Sequence, residues 1–303
     1  MLEFHTLDVF TTTPFAGNPL AVVLGADDLT TAQMQTIARE FNLSETIFVQ
    51  RPADPAHTAR VRIFFPTAEI PFAGHPTVGC AILLAERAAA AGDFNARITL
   101  EEEAGLVPVT VTRKGPVTEA EFTAPILPVP HPGAAPVDLI AAALGLQPSE
   151  IVTEGHRPAL WQGGPAFLYV PLLNRSTLAR ARPMEPHWSA LMREAGVDSA
   201  YLYTKGAGAG YQARMFSPGA GIPEDPATGS ASAIFAAQLH AAGAIVPGTN
   251  RFALRQGVEM GRPSEIALTV EADGAGPTEI RIRGAAVRLS EGRIAIPAPT
   301  PLI

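Results

Sequence analysis

The sequence predicts an α+β fold of two similar halves, each combining several strands with one helix that lacks a polar face. Three observations predict it. Short strand-like and helix-like segments alternate along the chain, two nearly all-apolar helices read at 77–90 and 230–239, and residues around those helices repeat at a constant offset of 152. At 303 residues the chain is long enough for two ordinary domains.

Composition sets the class. Hydrophobic residues make up 47% and charged residues 17%, which suits a packed globular core rather than disorder. The net charge of -7 argues against nucleic acid, which selects a basic face. The start, MLEFHTLDVF, has no basic region ahead of an apolar run and alternates like a strand, so no signal peptide is read. No run of about 18 or more apolar residues is present, so no membrane span is expected. A single cysteine, Cys80, excludes an internal disulfide and a multi-cysteine zinc site. A cytoplasmic enzyme is the expectation, with no metal.

In the first half, residues 2–10 and 20–24 read as strands around a turn at Pro14, Gly17, Asn18 and Pro19. Thr31 is placed to cap a helix through Arg39, with Met34, Ile37 and Ala38 on one face. Strands are expected at 45–50, 59–65, 98–103, 107–113 and 119–122. The Ala-rich segment 77–90 should be buried on all sides, since it has no polar face. Five prolines from Pro125 to Pro136 mark an extended connector. The expected domains are therefore 1–127 and 134–285, with the last strands, about 286–303, packing back onto the first. The second half offers strands at 166–172, 199–203 and 211–216 ahead of its own apolar helix.

The repeat is specific in content. Arg62, Phe64 and Pro66 fall on Arg214, Phe216 and Pro218; Ala68, Ile70 and Pro71 on Ala220, Ile222 and Pro223; Ala81, Ile82 and Ala85 on Ala233, Ile234 and Ala237. The shared unit is a strand, a Pro/Gly-rich turn and a buried helix, which predicts a pseudo-two-fold protein. The copies diverge just before the helix, with Gly74, His75, Pro76 and Thr77 in one and Glu224 to Ser230 in the other. Helix starts carry unpaired N–H groups and the positive dipole end, so they suit an anionic ligand, and Gly74 and Gly229 would let backbone approach it. The ordinary alternative is capping by Thr77, Asp225, Thr228 and Ser230. Taken singly, His75 reads as a satisfied turn histidine, Asp225 as a cap and Glu45 as an exposed strand-edge carboxylate.

Together these segments resemble a known family. DVFTTTPFAGNPLAVV, AREFNLSETIFV, EIPFAGHPTVG, RMFSP, EDPATGSA and GVEMGRPS span residues 8 to 264, in the order and spacing of the PhzF-like family of phenazine biosynthesis. The resemblance implies two pseudo-symmetric diaminopimelate epimerase-like domains, each a curled mixed β-sheet around a central helix, with the active site between them. It implies a cofactor-free isomerase acting on a small carboxylate, by resemblance trans-2,3-dihydro-3-hydroxyanthranilate, and a homodimer. It also implies that Glu45 is the general acid/base, that His75 and Asp225 position the substrate or assist proton transfer, and that Ser44, Gly74, Gly229 and Ser230 bind the substrate.

The related epimerases use a pair of cysteines, one at each central helix start. Here neither start carries a cysteine and Cys80 lies a turn inside the first helix, so two-thiol racemisation is excluded. The glycine-rich run 206–210 joins two strand-like segments and reads as a hairpin turn rather than a nucleotide loop. Two rival functions stay open: an isomerase or epimerase of a different small amino or hydroxy acid, and a non-catalytic small-molecule-binding member of the fold.

Overall fold

Strands and helices alternate as the apolar patterning demands, and the computed structural model, which describes residues 1–208 and 210–298, divides the chain into two units. Unit 1 is Met1–Thr123 with Arg283–Ile303, and unit 2 is Ala124–Ile282. Among the described residues no helix is long and apolar enough to cross a membrane.

Unit 1 contains β1 (Leu2–Val9), β2 (Asn18–Leu24), α1 (Thr31–Phe41), β3 (Glu45–Gln50), β4 (Ala59–Phe64), β5 (Glu69–Ile70), α2 (Gly74–Ala88), β6 (Phe94–Glu102), β7 (Gly105–Lys114) and β8 (Val117–Thr123). The pairing is mixed: β1–β2, β3–β4, β6–β7 and β7–β8 are antiparallel, while β2–β3 and β4–β6 are parallel. Residues 286–294 return to pair antiparallel with β1; of the expected terminal segment, 299–303 lie outside the described residues.

Both helix starts of unit 1 differ from the sequence expectation, each for a local reason. The cap of α1 is Thr30 rather than Thr31: its hydroxyl accepts from Gln33 N, and the Gln33 side chain accepts from Thr30 N, a reciprocal capping box. The apolar helix α2 begins at Gly74, three residues before Thr77, because Pro76 is tolerated in a first turn, where its missing N–H has no partner to lose. Thr77 is therefore inside the helix, and His75 sits in its first turn.

The apolar character of α2 has the expected consequence. It packs against β1, β2, β3, β6, β7 and β8, with Val78, Cys80, Ala81, Ile82 and Leu83 fully buried. Its approach to β1 and β2 is close. A Cβ on Gly79 would lie 2.6 Å from Leu20 Cδ2 and 2.7 Å from Val9 Cγ2. On the other side of β3, Met34, Ile37 and Ala38 of α1 pack with Val23, Phe48 and Phe64.

Unit 2 contains β9 (Val129–Pro130), α3 (Val137–Leu144), β10 (Ala159–Gln162), β11 (Ala166–Pro171), α4 (Arg175–Arg180), α5 (His187–Ala195), β12 (Ala200–Lys205), β13 (Gly210–Ser217), β14 (Ile222–Asp225), α6 (Gly229–Ala241), β15 (Gly248–Gln256), β16 (Ser264–Ala272) and the start of β17 (Pro277–Ile294). Its pairings follow unit 1 in sense: β10–β11 antiparallel, β11–β12 parallel, β12–β13 antiparallel, β13–β15 parallel and β15–β16 antiparallel. The glycine-rich segment joins β12 to β13 as a hairpin, although Ala209 lies outside the described residues. Helix α6 is buried along its length against β10, β11 and β16, and Phe235 packs against the rings of Tyr169, Tyr201, Tyr203 and Tyr211. Helices α3 and α5 form an additional apolar layer with β10, β11 and β12 through Ile140, Leu144, Trp188 and Leu191.

Candidate active site

In unit 1 the candidate residues converge on one buried corner. Helix α1 stops at Asn42, whose left-handed backbone (φ 51°) turns the chain through Leu43 and Ser44 into β3. Glu45 is the first residue of β3 and, contrary to the exposed strand-edge reading, only 7% accessible. His75, in the first turn of α2, is 2% accessible and places Nε2 3.4 Å from Glu45 Oε2. Gly74 beside it is buried and Ser44 is half-buried.

Asn18 sets the state of this histidine. It is wholly buried at the start of β2, with Nδ2 3.1 Å from His75 Nδ1. An amide nitrogen only donates, so Nδ1 accepts and the ring hydrogen resides on Nε2, the nitrogen 3.4 Å from Glu45 Oε2. Burial pushes the His75 pKa down to about 3, which keeps the ring neutral near pH 7. Gly17 makes the preceding turn possible: its φ is +68°, and a Cβ there would lie 2.4 Å from Val9 O. Asn18 and Gly17 were visible in the sequence only as turn residues, and nothing in the pattern linked Asn18 to His75.

One more carboxyl reaches this helix start. Thr77 Oγ1 lies 2.7 Å from Ala73 O and 2.7 Å from Oε1 of Glu102, the last residue of β6. Glu102 is 8% accessible, and burial pushes its pKa up to about 8 against the opposing hydrogen bond from Thr77. In the sequence Glu102 is one of three consecutive glutamates, a setting that usually marks a solvated strand end.

In unit 2, Asp225 ends β14 and is buried, and the Thr228 hydroxyl donates to its Oδ2 over 2.6 Å. Gln256, the last residue of β15 and wholly buried, ties this corner together. Its Nε2 donates to Asp225 O (2.8 Å) and Thr228 Oγ1 (3.0 Å), and its Oε1 accepts from Thr228 N (3.2 Å). Gly229 and the half-buried Ser230 open α6 beside Asp225. Gln256 has no signature that sequence reading could have used.

The two helix starts share one chemical property. The cap residues Ala73 and Thr228 make no side-chain cap bond, and neither first turn holds an acidic residue. Their N–H groups and positive dipole ends suit a carboxylate. Among the described residues no cluster of His, Cys, Asp and Glu could hold a metal ion. Cys80 is buried inside α2, where burial raises its thiol pKa above the ordinary range, so it is a core residue rather than a nucleophile.

Residues 7–292 match the phenazine biosynthesis-like protein family, PhzC-PhzF. The chain is similar to an uncharacterized isomerase of Mesorhizobium japonicum, 45% identical, with 95% of this chain and 97% of the relative covered. It is similar also to the trans-2,3-dihydro-3-hydroxyanthranilate isomerase of Pseudomonas aeruginosa, 37% identical over 97% of this chain and 99% of that protein. Among solved structures, the PhzF family protein of Bacillus anthracis matches with a TM-score of 0.86 and 26% identity, covering 97% of this chain and 99% of that one. A probable proline racemase of Agrobacterium radiobacter, 14% identical with a TM-score of 0.68 over 100% and 95% of the two chains, shares the fold alone. With the family matched over nearly the whole chain and the fold matched twice, the chain belongs to the phenazine biosynthesis-like family and has its diaminopimelate epimerase-like fold.

Proposed function

We propose that this PhzF-like isomerase moves a proton between two carbons of a small cyclic amino or hydroxy acid, with Glu45 as the general acid/base and no cofactor. The observation that carries the reading is the buried Glu45 carboxylate facing Nε2 of a neutral His75. A carboxylate withdrawn from water accepts a proton from carbon more readily, and a neutral N–H beside it steadies the anion without neutralising it. Glu45 takes the proton from one carbon, becomes the carboxylic acid, and returns the proton to a second carbon on the same face. The net result is a shifted double bond with no atom gained or lost.

His75 is a positioning donor in this scheme rather than a second proton carrier, because an imidazolium is strongly disfavoured at a site with a pKa near 3. Asp225 holds a polar group of the substrate, and the uncapped starts of α2 and α6, with Gly74, Gly229, Ser230 and Ser44, bind its carboxylate and neighbouring atoms. The substrate proposed is trans-2,3-dihydro-3-hydroxyanthranilate, the compound in the name of the 37% identical relative. Glu45→Gln tests the reading: turnover should vanish while the fold and binding of an unreactive hydroxyanthranilate persist. Retention of most activity would sink it.

A second reading, isomerisation of a different small amino or hydroxy acid, is favoured by the 45% identical relative, whose name specifies no substrate, and by a 31% identical structure titled a predicted epimerase (TM-score 0.79). Solvent-deuterium incorporation, followed by NMR across dihydro-hydroxyanthranilate and a panel of small amino and hydroxy acids, separates the two.

A further inference from the structure

The corner of unit 1 behind His75 contains a hydrogen-bond problem with one simple solution. Thr77 has a single hydroxyl hydrogen, yet its Oγ1 lies 2.7 Å from Ala73 O and 2.7 Å from Glu102 Oε1. The carbonyl can only accept. If Glu102 were a carboxylate it could only accept as well, and two acceptors would share one hydrogen. The other carboxyl oxygen, Oε2, is buried and makes no hydrogen bond among the described residues. An ionised carboxylate with a bare buried oxygen is costly, whereas a carboxylic acid satisfies both distances, donating to Thr77 while Thr77 donates to Ala73.

Unit 2 supplies an independent comparison. In the parallel pairing of β4 with β6, Ala59 stands opposite Leu100; in that of β13 with β15, Tyr211 stands opposite Leu254. Ala59 and Tyr211 are related by the repeat offset of 152, so the register carries Leu100 onto Leu254 and Glu102 onto Gln256. Both residues end nine-residue strands, both are buried, and both reach the hydroxyl of a threonine at the start of the central helix. In unit 2 that position is a neutral amide, which donates to the threonine hydroxyl.

We infer that Glu102 is held as a neutral carboxylic acid and acts as a positioning residue, pinning the first turn of α2, and with it His75, through a Glu102–Thr77–Ala73 relay. Burial of Glu102 is consistent with this, since it pushes the group's pKa up to about 8. The consequence for turnover rests on the function proposed above; the protonation state and the position of His75 do not.

The test uses the whole 303-residue chain. Infrared difference spectra of wild type against Glu102→Gln at pH 6.5 should show one protonated-carboxyl carbonyl band that only the wild type has. Glu102→Gln, which copies unit 2, should retain turnover within about twofold. Glu102→Ala should lose roughly tenfold, as for a lost buried hydrogen bond, with the ¹⁵N signals of His75 displaced. Where Glu102→Ala fails to fold, Thr77→Val, which keeps the shape and removes the relay, should give the same displacement. Absence of the infrared band, or unmoved His75 signals in the Ala or Val variant, overturns the inference. An inactive wild type toward every substrate tried would count against the proposed function, while the infrared and ¹⁵N readouts would still decide this point.

Discussion

The two units share a frame and differ at the mouth of the central helix. In unit 1, Arg62 grips Glu69 with Nε and Nη2 at 2.7 and 2.6 Å and lies 5.4 Å over the Phe64 ring; in unit 2, Arg214 grips Glu224 at 2.8 and 2.8 Å and lies 4.7 Å over Phe216. Strand senses match step for step. At the helix starts the likeness ends: unit 1 presents Glu45, a neutral histidine and a second buried carboxyl, whereas unit 2 presents Asp225 tied to Thr228 and Gln256. On the function proposed above, the unlike mouths divide the work, with proton transfer assigned to unit 1 and substrate holding to unit 2. The largest expected effect tests that division. Glu45→Gln should lower kcat by about 10³-fold, within the usual contribution of a general acid/base. Asp225→Asn should act mainly on KM, by roughly tenfold for a lost charge-assisted hydrogen bond. Steady-state kinetics on both variants decides; a larger kcat loss for Asp225→Asn would reverse the assignment.

The shared arginine pair also has an internal difference. Arg62 is about a fifth exposed, and its remaining hydrogen bond goes to Thr31. Arg214 is buried, and its Nη1 also serves the carbonyls of Leu178, Ala179 and Ala181, at 2.9, 3.3 and 2.7 Å, where α4 ends. Removing it leaves Glu224 and several carbonyls without their donor. Arg214→Met should cost about 3–5 kcal/mol, the range for breaking a buried pair, and Arg62→Met about 1–2 kcal/mol. Urea unfolding of the two variants measures this, and equal losses would remove the distinction.

The frame was legible in the sequence because its signals are local or periodic. Arg62 with Phe64 and Arg214 with Phe216 repeat at one offset, and a helix without a polar face has to be buried wherever it falls. Helices α3 to α5 were missed: each is short, and α3 follows directly on the proline-rich connector. The start of α2 was misplaced because Pro76 reads as a helix stop unless its first-turn tolerance is allowed for. The candidate site was legible only in part. Glu45, His75 and Asp225 came from motif resemblance, while the residues that orient them, Asn18 and Gln256, act across β-sheet and helix contacts that spacing does not encode. Glu102 was hidden for another reason. Alternation along β6 buries it while Glu101 turns outward to His57, and a run of three glutamates conceals that alternation.

The pH dependence of stability sharpens the Glu102–Gln256 comparison. The folded pKa of about 8 lies above the ordinary 4.5, so the folded protein keeps a proton that the unfolded chain releases. Stability from this group is fully present below about pH 4.5 and is lost as pH rises through 8, by up to about 1 kcal/mol per pH unit in between. Glu102→Gln removes the titration. Its stability relative to wild type should therefore improve by about 2 kcal/mol from pH 5 to pH 7, other groups cancelling in the difference. A difference that stays flat with pH would mean that Glu102 is ionised in the folded protein.

The smallest effect concerns how tightly each helix is seated. The repeat places Gly79 of α2 on Ala231 of α6. Ala231 is fully buried, and its carbonyl accepts from Tyr169 Oη over 2.7 Å, so unit 2 has room for a methyl group where unit 1 does not. Alanine at 79 would gain about 1 kcal/mol of helix propensity, and that gain is opposed by crowding. Leu20 Cδ2 can swing aside, but Val9 is β-branched, buried and stiff, so its Cγ2 at 2.7 Å has to be pushed with its strand. The net expectation for Gly79→Ala is a loss of about 1 kcal/mol, with kcat reduced because His75 lies one turn away on the same helix face. Ala231→Gly should cost about 1–2 kcal/mol through propensity and a lost methyl contact, and leave kcat within about twofold. A Gly79→Ala protein more stable than wild type, with unchanged kcat, would show that α2 is no more tightly seated than α6.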